Sequence, residues 1–134
     1  MAPVAVQENS RLVAIVDDDD LMRSALEGLL KQAGLPVRTF ASAEDFLSSG
    51  QQHHTACLIA DIRMPGMTGL DLHRHLSVSG KLIPTVLITA YPDDSVRERA
   101  VAAGVIGYLS KPFEEDDLLA CIRSALTHDR SGGR

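Results

Sequence analysis

The chain has 134 residues, of which 45% are apolar and 23% charged, and its formal net charge is −5. That is the length of one ordinary domain with enough apolar material for a core, which excludes an intrinsically disordered segment. The acidic balance argues against a protein that tracks a nucleic-acid phosphate backbone and suits one that gathers carboxylates around a cation.

Cys57 and Cys121 are the only cysteines and lie far apart without CxxC spacing. Two reduced thiols are expected, and neither a disulfide framework nor a zinc site. Among the histidines, His53 and His54 sit in a polar stretch, while His73 and His75 are two apart and point to different sides of a helix. The first residues lack the basic start and long apolar run of a signal peptide, and no run is long enough to span a membrane. The expected location is the cytoplasm, with no membrane contact.

Residues 1–11 read as a polar leader. Leu12 to Val16 is an apolar run that ends at four aspartates, the pattern of a strand buried on both faces. Met22, Ala25, Leu26, Leu29, Leu30 and Ala33 then form a helical stripe, with Asp20 as the expected N-cap and Gly34 as a left-handed stop. Val37 to Phe40 predicts a second strand, and Ser42 to Ser49 a short helix capped by Ser42. Ala56 to Ala60 predicts a third strand, ending at Asp61, and Thr68 to Val78 another helix. Pro84 to Thr89 reads as a fourth strand with Pro84 at its first position. Ser95 to Ala103 is a helix stopped by Gly104, and Gly107 to Ser110 a short fifth strand. Glu114 to Thr127 is a last helix with acids in its first turn, and residues 128–134 read as a flexible tail or the start of a linker. Residues 12–127 thus form one α/β domain. Strands alternating with helices imply a parallel sheet covered on both faces and joined by right-handed crossovers.

In such a sheet, ligands bind beyond the carboxyl ends of the strands. The first strand ends at Asp17 and Asp18, the third at Asp61, the fourth at Thr89, and the fifth at Ser110 and Lys111. Each residue alone is unspecific, since an aspartate after a strand also opens turns. Together they place three carboxylates, a hydroxyl and an ammonium on one edge. Crowded carboxylates need a counter-charge, and Mg²⁺ takes oxygen ligands and shares phosphate oxygens. A carboxylate beside a divalent cation and a lysine is a suitable nucleophile toward phosphorus.

These residues carry a resemblance to the response-regulator receiver domains of two-component signalling. The matching segments are Val16 to Asp19 (VDDD), Asp61 to Gly69 (DIRMPGMTG), Ile88 to Ala90 (ITA) and Ala103 to Phe113 (AGVIGYLSKPF), in order and at family spacing. The DIRMP and KPF wording is similar to the nitrogen-fixation regulator subfamily. The resemblance implies a flavodoxin-like three-layer sandwich, a five-stranded parallel sheet in the order 2-1-3-4-5 with five helices. It implies that Asp61 is phosphorylated, that Thr89 and Lys111 bind phosphoryl oxygens, and that Tyr108 switches with Thr89. It assigns Asp17, Asp18, Asp61 and the backbone carbonyl of Arg63 to Mg²⁺, with Mn²⁺ as a substitute, and it makes Lys111-Pro112 a cis bond.

The implied function is a phosphoacceptor that takes its phosphoryl group from a histidine kinase or phosphotransfer protein and then changes partner preference. The implied output is a downstream protein or a fused output domain, with a phosphorylation-dependent dimer through the fourth helix, fifth strand and fifth helix. Arg63 and Tyr91 lie two residues after Asp61 and Thr89 and are candidates for tuning hydrolysis of the acyl phosphate. An aspartate-nucleophile phosphohydrolase carries a second acid where this chain has Arg63, so turnover of a separate substrate is not expected. A nucleotide- or flavin-binding module needs a glycine-rich turn after the first strand, where this chain has aspartates. No basic recognition helix lies in the chain, so direct nucleic-acid binding is not expected of it.

Overall fold

The five apolar runs form five strands in the computed structural model of this protein, which describes residues 11–132. They are β1 (Leu12–Val16), β2 (Val37–Phe40), β3 (Thr55–Asp61), β4 (Thr85–Thr89) and β5 (Gly107–Ser110). The helices are α1 (Asp20–Gln32), α2 (Ala43–Ser49), α3 (Gly69–Val78), α4 (Asp94–Ala102) and α5 (Glu115–Gly132). Every pairing is parallel and the order is β2-β1-β3-β4-β5, the flavodoxin-like arrangement that was expected. Among the described residues, no helix is long and apolar enough to cross a membrane.

Successive strand residues point to opposite faces. Val13 and Ile15 of β1 pack with Leu26 and Leu30 of α1 and with Leu118 and Ile122 of α5. Ala14 and Val16 pack on the other face with Phe46 of α2 and with Leu72 and Leu76 of α3. All of β3 and β4 is buried, which is why these strands read as unbroken apolar runs. Burying a Leu or Ile side chain stabilises by about 1.5–3 kcal/mol. Helices α1, α3 and α5 each contribute at least two such side chains, whereas Ala100 is the one buried residue of α4.

The helix ends fix where the sheet edge stops. The N-cap of α1 is Asp19, not Asp20 as the sequence suggested. Asp19 has extended backbone, and its carboxylate accepts from the Leu21 and Met22 amides at 3.0 and 3.3 Å. Asp20 is already helical and pairs with Arg23 instead. Ser42 caps α2 as expected, accepting from the Asp45 amide at 3.0 Å. Thr68 and Asp71 form a reciprocal capping box at the start of α3. Gly34 stops α1 at φ +81°, in the left-handed region where glycine is at home.

Several boundaries differ from expectation: β3 begins at Thr55 and not at Ala56, and α4 runs from Asp94 to Ala102 and not from Ser95 to Ala103. Pro84 precedes β4 rather than opening it, and its carbonyl accepts from the Leu58 amide at 2.9 Å. A 3-10 turn at Gln51–His54, absent from the sequence reading, leads into β3. Helix α5 continues to Gly132, past the expected end at Thr127. Residues 1–10 of the polar leader and residues 133–134 of the tail lie outside the described residues.

Candidate functional site

Parallel register brings the strand ends level. Val16 lies opposite Ala60, Asp61 opposite Ile88, and Thr89 opposite Ser110. Asp17 and Asp61 therefore emerge level with each other, with Thr89 one residue and Lys111 two residues further along the same edge. Each of Asp17, Asp18 and Asp61 offers an oxygen, and these oxygens lie within 4.8 Å of one another. Asp17 and Asp61 are buried, while Asp18 is exposed.

Lys111 reaches into this group from the loop after β5. Its Nζ lies 3.0 Å from Asp61 Oδ2 and 3.5 Å from Asp17 Oδ2. The Lys111 amide donates to the Thr89 carbonyl at 2.8 Å, and the Lys111-Pro112 bond is cis. The other Asp61 oxygen, Oδ1, accepts from the Arg63 amide at 2.9 Å. Asp17 Oδ1 accepts from the Asp19 amide at 3.0 Å, and the Asp17 carbonyl accepts from Arg23 at 2.7 Å. Gly69 is required beneath this loop, because a Cβ there would stand 2.6 Å from the Asp61 carbonyl oxygen.

Charge in the site is unbalanced. Burial, with the nearby Asp61 charge, pushes the Asp17 carboxyl up to about 6, although the Asp19 amide and Lys111 pull the other way. Burial alone would lower the Lys111 ammonium. Its hydrogen bond to Asp61 and the charges of Asp17 and Asp61 outweigh burial and raise it, so Lys111 stays cationic. One ammonium faces three carboxylates. An all-oxygen donor set with excess negative charge fits a hard divalent cation and gives a soft metal no sulfur or imidazole ligand.

The remaining expected residues surround the edge. Thr89 is buried, and its Oγ1 accepts from the Tyr91 amide at 3.0 Å. Tyr91 is 66% exposed, and the Arg63 guanidinium lies 4.6 Å from its ring centroid. Together they form a flap beside Asp61. Tyr108 is half-buried, and its hydroxyl accepts from the Asp93 amide at 3.3 Å. Arg97 lies over the Tyr108 ring at 5.5 Å. The side chains of Asp17, Asp18, Asp61 and Lys111 thus converge, Thr89 and the Arg63–Tyr91 pair flank them, and Tyr108 is directed at the start of α4.

Two supports were not found from the sequence. Asp93 caps α4, accepting from the Ser95 and Val96 amides. His73 is buried under the sheet's other end. Its Nε2 lies 2.9 Å from the Ala103 carbonyl and its Nδ1 3.0 Å from Thr85 Oγ1. A carbonyl can only accept, so Nε2 carries a proton. The ring ties α3 to β4 and to the C-cap of α4. Its only sequence signal was a position one residue after Leu72 and three before Leu76.

An open parallel sheet in this order, with carboxylates and a lysine meeting at its carboxyl edge, is the architecture of a signalling receiver. The response regulator receiver domain profile matches residues 13–123, and the chain belongs to that family. It is 41% identical over 121 residues to the response regulator protein TmoT of Ectopseudomonas mendocina, covering 90% of this chain and 55% of TmoT. It is 34% identical to the transcriptional regulatory protein FixJ of Azorhizobium caulinodans, covering 91% of this chain and 58% of FixJ. Among solved structures, the response regulator StyR superposes with a TM-score of 0.82 at 42% identity, covering 90% of this chain and 61% of that one. FixJ-N superposes with a TM-score of 0.79 at 34% identity, covering 87% of this chain and 94% of that one. The likeness to FixJ agrees with the wording of the DIRMP and KPF segments. The chain spans little more than half the length of the curated relatives it matches. Members of the family are signalling domains that accept a phosphoryl group at an acidic, Mg²⁺-binding pocket, not enzymes that turn over separate substrates.

Proposed function

We propose that Asp61 is the phosphoacceptor of this receiver and takes its phosphoryl group from a histidine kinase or a phosphotransfer protein. The observation that carries this is the placement of Lys111 Nζ 3.0 Å from Asp61 Oδ2, with Asp17 and Asp18 oxygens in the same cluster. An Asp61 oxygen attacks the phosphorus of a phosphohistidine, the new P–O bond forms as the P–N bond breaks, and the imidazole leaves with the bonding pair. Lys111 offsets charge on the phosphoryl oxygens. The Thr89 hydroxyl accepts from the Tyr91 amide, so its own hydrogen is available to a phosphoryl oxygen. Asp17, Asp18, Asp61 and the Arg63 carbonyl are the residues that would hold Mg²⁺, or Mn²⁺ in its place. That ion supplies charge neutralisation at the phosphoryl oxygens.

The Arg63–Tyr91 flap stands where water would approach the acyl phosphate, and it sets the lifetime of the product. The output is a population shift. Thr89 turns toward the phosphoryl group, and Tyr108, bonded to the start of α4, repositions with it. The α4-β5-α5 face then changes its preference for a second copy, a downstream protein or a fused output domain. FixJ is a transcriptional regulatory protein by name, and a DNA-binding output in this system would lie outside the present chain. The cytoplasm is the expected location.

The test is incubation with Mg²⁺ and acetyl phosphate, read by intact mass and size exclusion. Wild type gains one phosphoryl group and Asp61→Asn gains none. Equal labelling of both proteins contradicts the assignment.

A further inference from the structure

Beside the phosphorylation site, the loop after β3, α3 and α4 enclose a groove of about 540 Å³. Its floor is apolar, with Met64 and Leu70 buried beneath and Val96 of α4 facing them. Its rim carries the guanidinium groups of Arg63, Arg74 and Arg99, all on exposed residues. Among the described residues none of these three has an acidic partner, because the ion pairs use Arg23, Lys31 and Lys111. The one acid on the rim, Asp71, already accepts from the Thr68 amide in the capping box. A chain of net charge −5 therefore concentrates three cations without an acidic partner around one apolar floor, Arg63 resting on the Tyr91 ring.

That arrangement selects its occupant. Guanidinium groups take carboxylates through two parallel hydrogen bonds, and the floor takes a buried apolar side chain. A nucleic-acid backbone offers nothing to the floor and is repelled by the rest of an acidic chain. We propose that this groove docks a segment of a partner protein in which acidic residues flank an apolar one.

The position of the groove links it to the switch, and this clause rests on Asp61 being the phosphoacceptor. One wall, α3, is anchored by Leu72 and Leu76, while the other, α4, buries only Ala100. Arg63 is shared between the groove and the site, since its amide binds Asp61 Oδ1. Negative charge gained at Asp61 draws the Arg63 side chain away from the rim. Phosphorylation therefore weakens docking.

The test uses a phage-displayed random peptide library selected on the whole chain, followed by fluorescence anisotropy with the enriched peptides. The comparison is wild type against the double variant Arg74→Glu, Arg99→Glu, whose fold is checked by melting and by its labelling with acetyl phosphate. The expected peptides carry acids around an apolar residue and bind the double variant at least about tenfold more weakly, equivalent to about 1.4 kcal/mol. No enrichment, peptides without acids, or equal affinity for the double variant overturns the proposal. Two other results also overturn it, in favour of a different occupant. One is charge-dependent binding of a single-stranded oligonucleotide in place of peptides. The other is a dimer that only the double variant loses. Repeating the titration after acetyl phosphate treatment, with intact mass read on the same sample, separates the two claims. The labelled protein is expected to bind the peptides more weakly than the same protein before treatment. Peptide binding by a protein that takes no label counts against Asp61 alone, and a protein that takes the label but binds no peptide before treatment counts against the groove alone.

Discussion

Asp17 is fully buried beside two other carboxylates, and its carboxyl is held at about 6 against an ordinary value of 3.8. A carboxyl raised in the folded state contributes most stability below its unfolded value, and loses that contribution as pH climbs through the folded one. Without metal, wild type is therefore expected to lose about 1–3 kcal/mol relative to Asp17→Asn between about pH 4 and about pH 7. Urea unfolding of both proteins in EDTA at those two pH values measures this. Parallel pH profiles would show that Asp17 is not strained. At the neighbouring flap, Arg63→Ala and Tyr91→Ala are each expected to shorten the half-life of the phosphorylated protein. A barrier change of about 1.4 kcal/mol is tenfold in rate, and unchanged decay in both variants would remove the flap from the account. The identities of these residues were legible because they follow strands directly. What Asp17 pays in burial was not, because Asp17 and Asp18 are adjacent in sequence and only the fold buries one and exposes the other.

Helix α4 is held at its two ends more than along its length. At its start, the Asp93 amide donates to the Tyr108 hydroxyl and Arg97 lies over the Tyr108 ring. At its end, His73 binds the Ala103 carbonyl. Removing a buried hydrogen-bond partner costs about 1–3 kcal/mol. His73→Ala is expected to destabilise by at least that much and to speed hydrogen exchange in the last turn of α4, while leaving α1 protected. Uniform exchange changes across the molecule would argue that His73 serves the core alone. The scarcity of apolar residues in α4 was visible in the sequence. Its tethers were not, because His73 meets Ala103 and Tyr108 meets Asp93 across long sequence separations. Likewise the cap of α1 depends on which aspartate leaves helical geometry, and four in a row give no sign of it.

Across the whole molecule, the sheet places the chemistry. Unbroken apolar runs separated by helical stripes implied a parallel sheet, and hence an edge where Asp17, Asp61, Thr89 and Lys111 gather. The order β2-β1-β3-β4-β5 is different in kind. Nothing in the composition of β2 or β5 says which one borders β1, so that order came from resemblance to receiver domains. The three-arginine groove was equally hidden, since Arg63, Arg74 and Arg99 stand on three separate segments. In the proposed function, the residues gathered at the sheet edge serve a single acceptor, Asp61. An acyl phosphate is reduced by borohydride to an alcohol, so the acceptor aspartate becomes homoserine and can be located by peptide mass spectrometry. Phosphorylation with Mg²⁺ and acetyl phosphate, followed by this reduction, is expected to place homoserine at position 61 alone. Homoserine at Asp17 or Asp18, or at no aspartate in a protein that carries the label, would contradict the account.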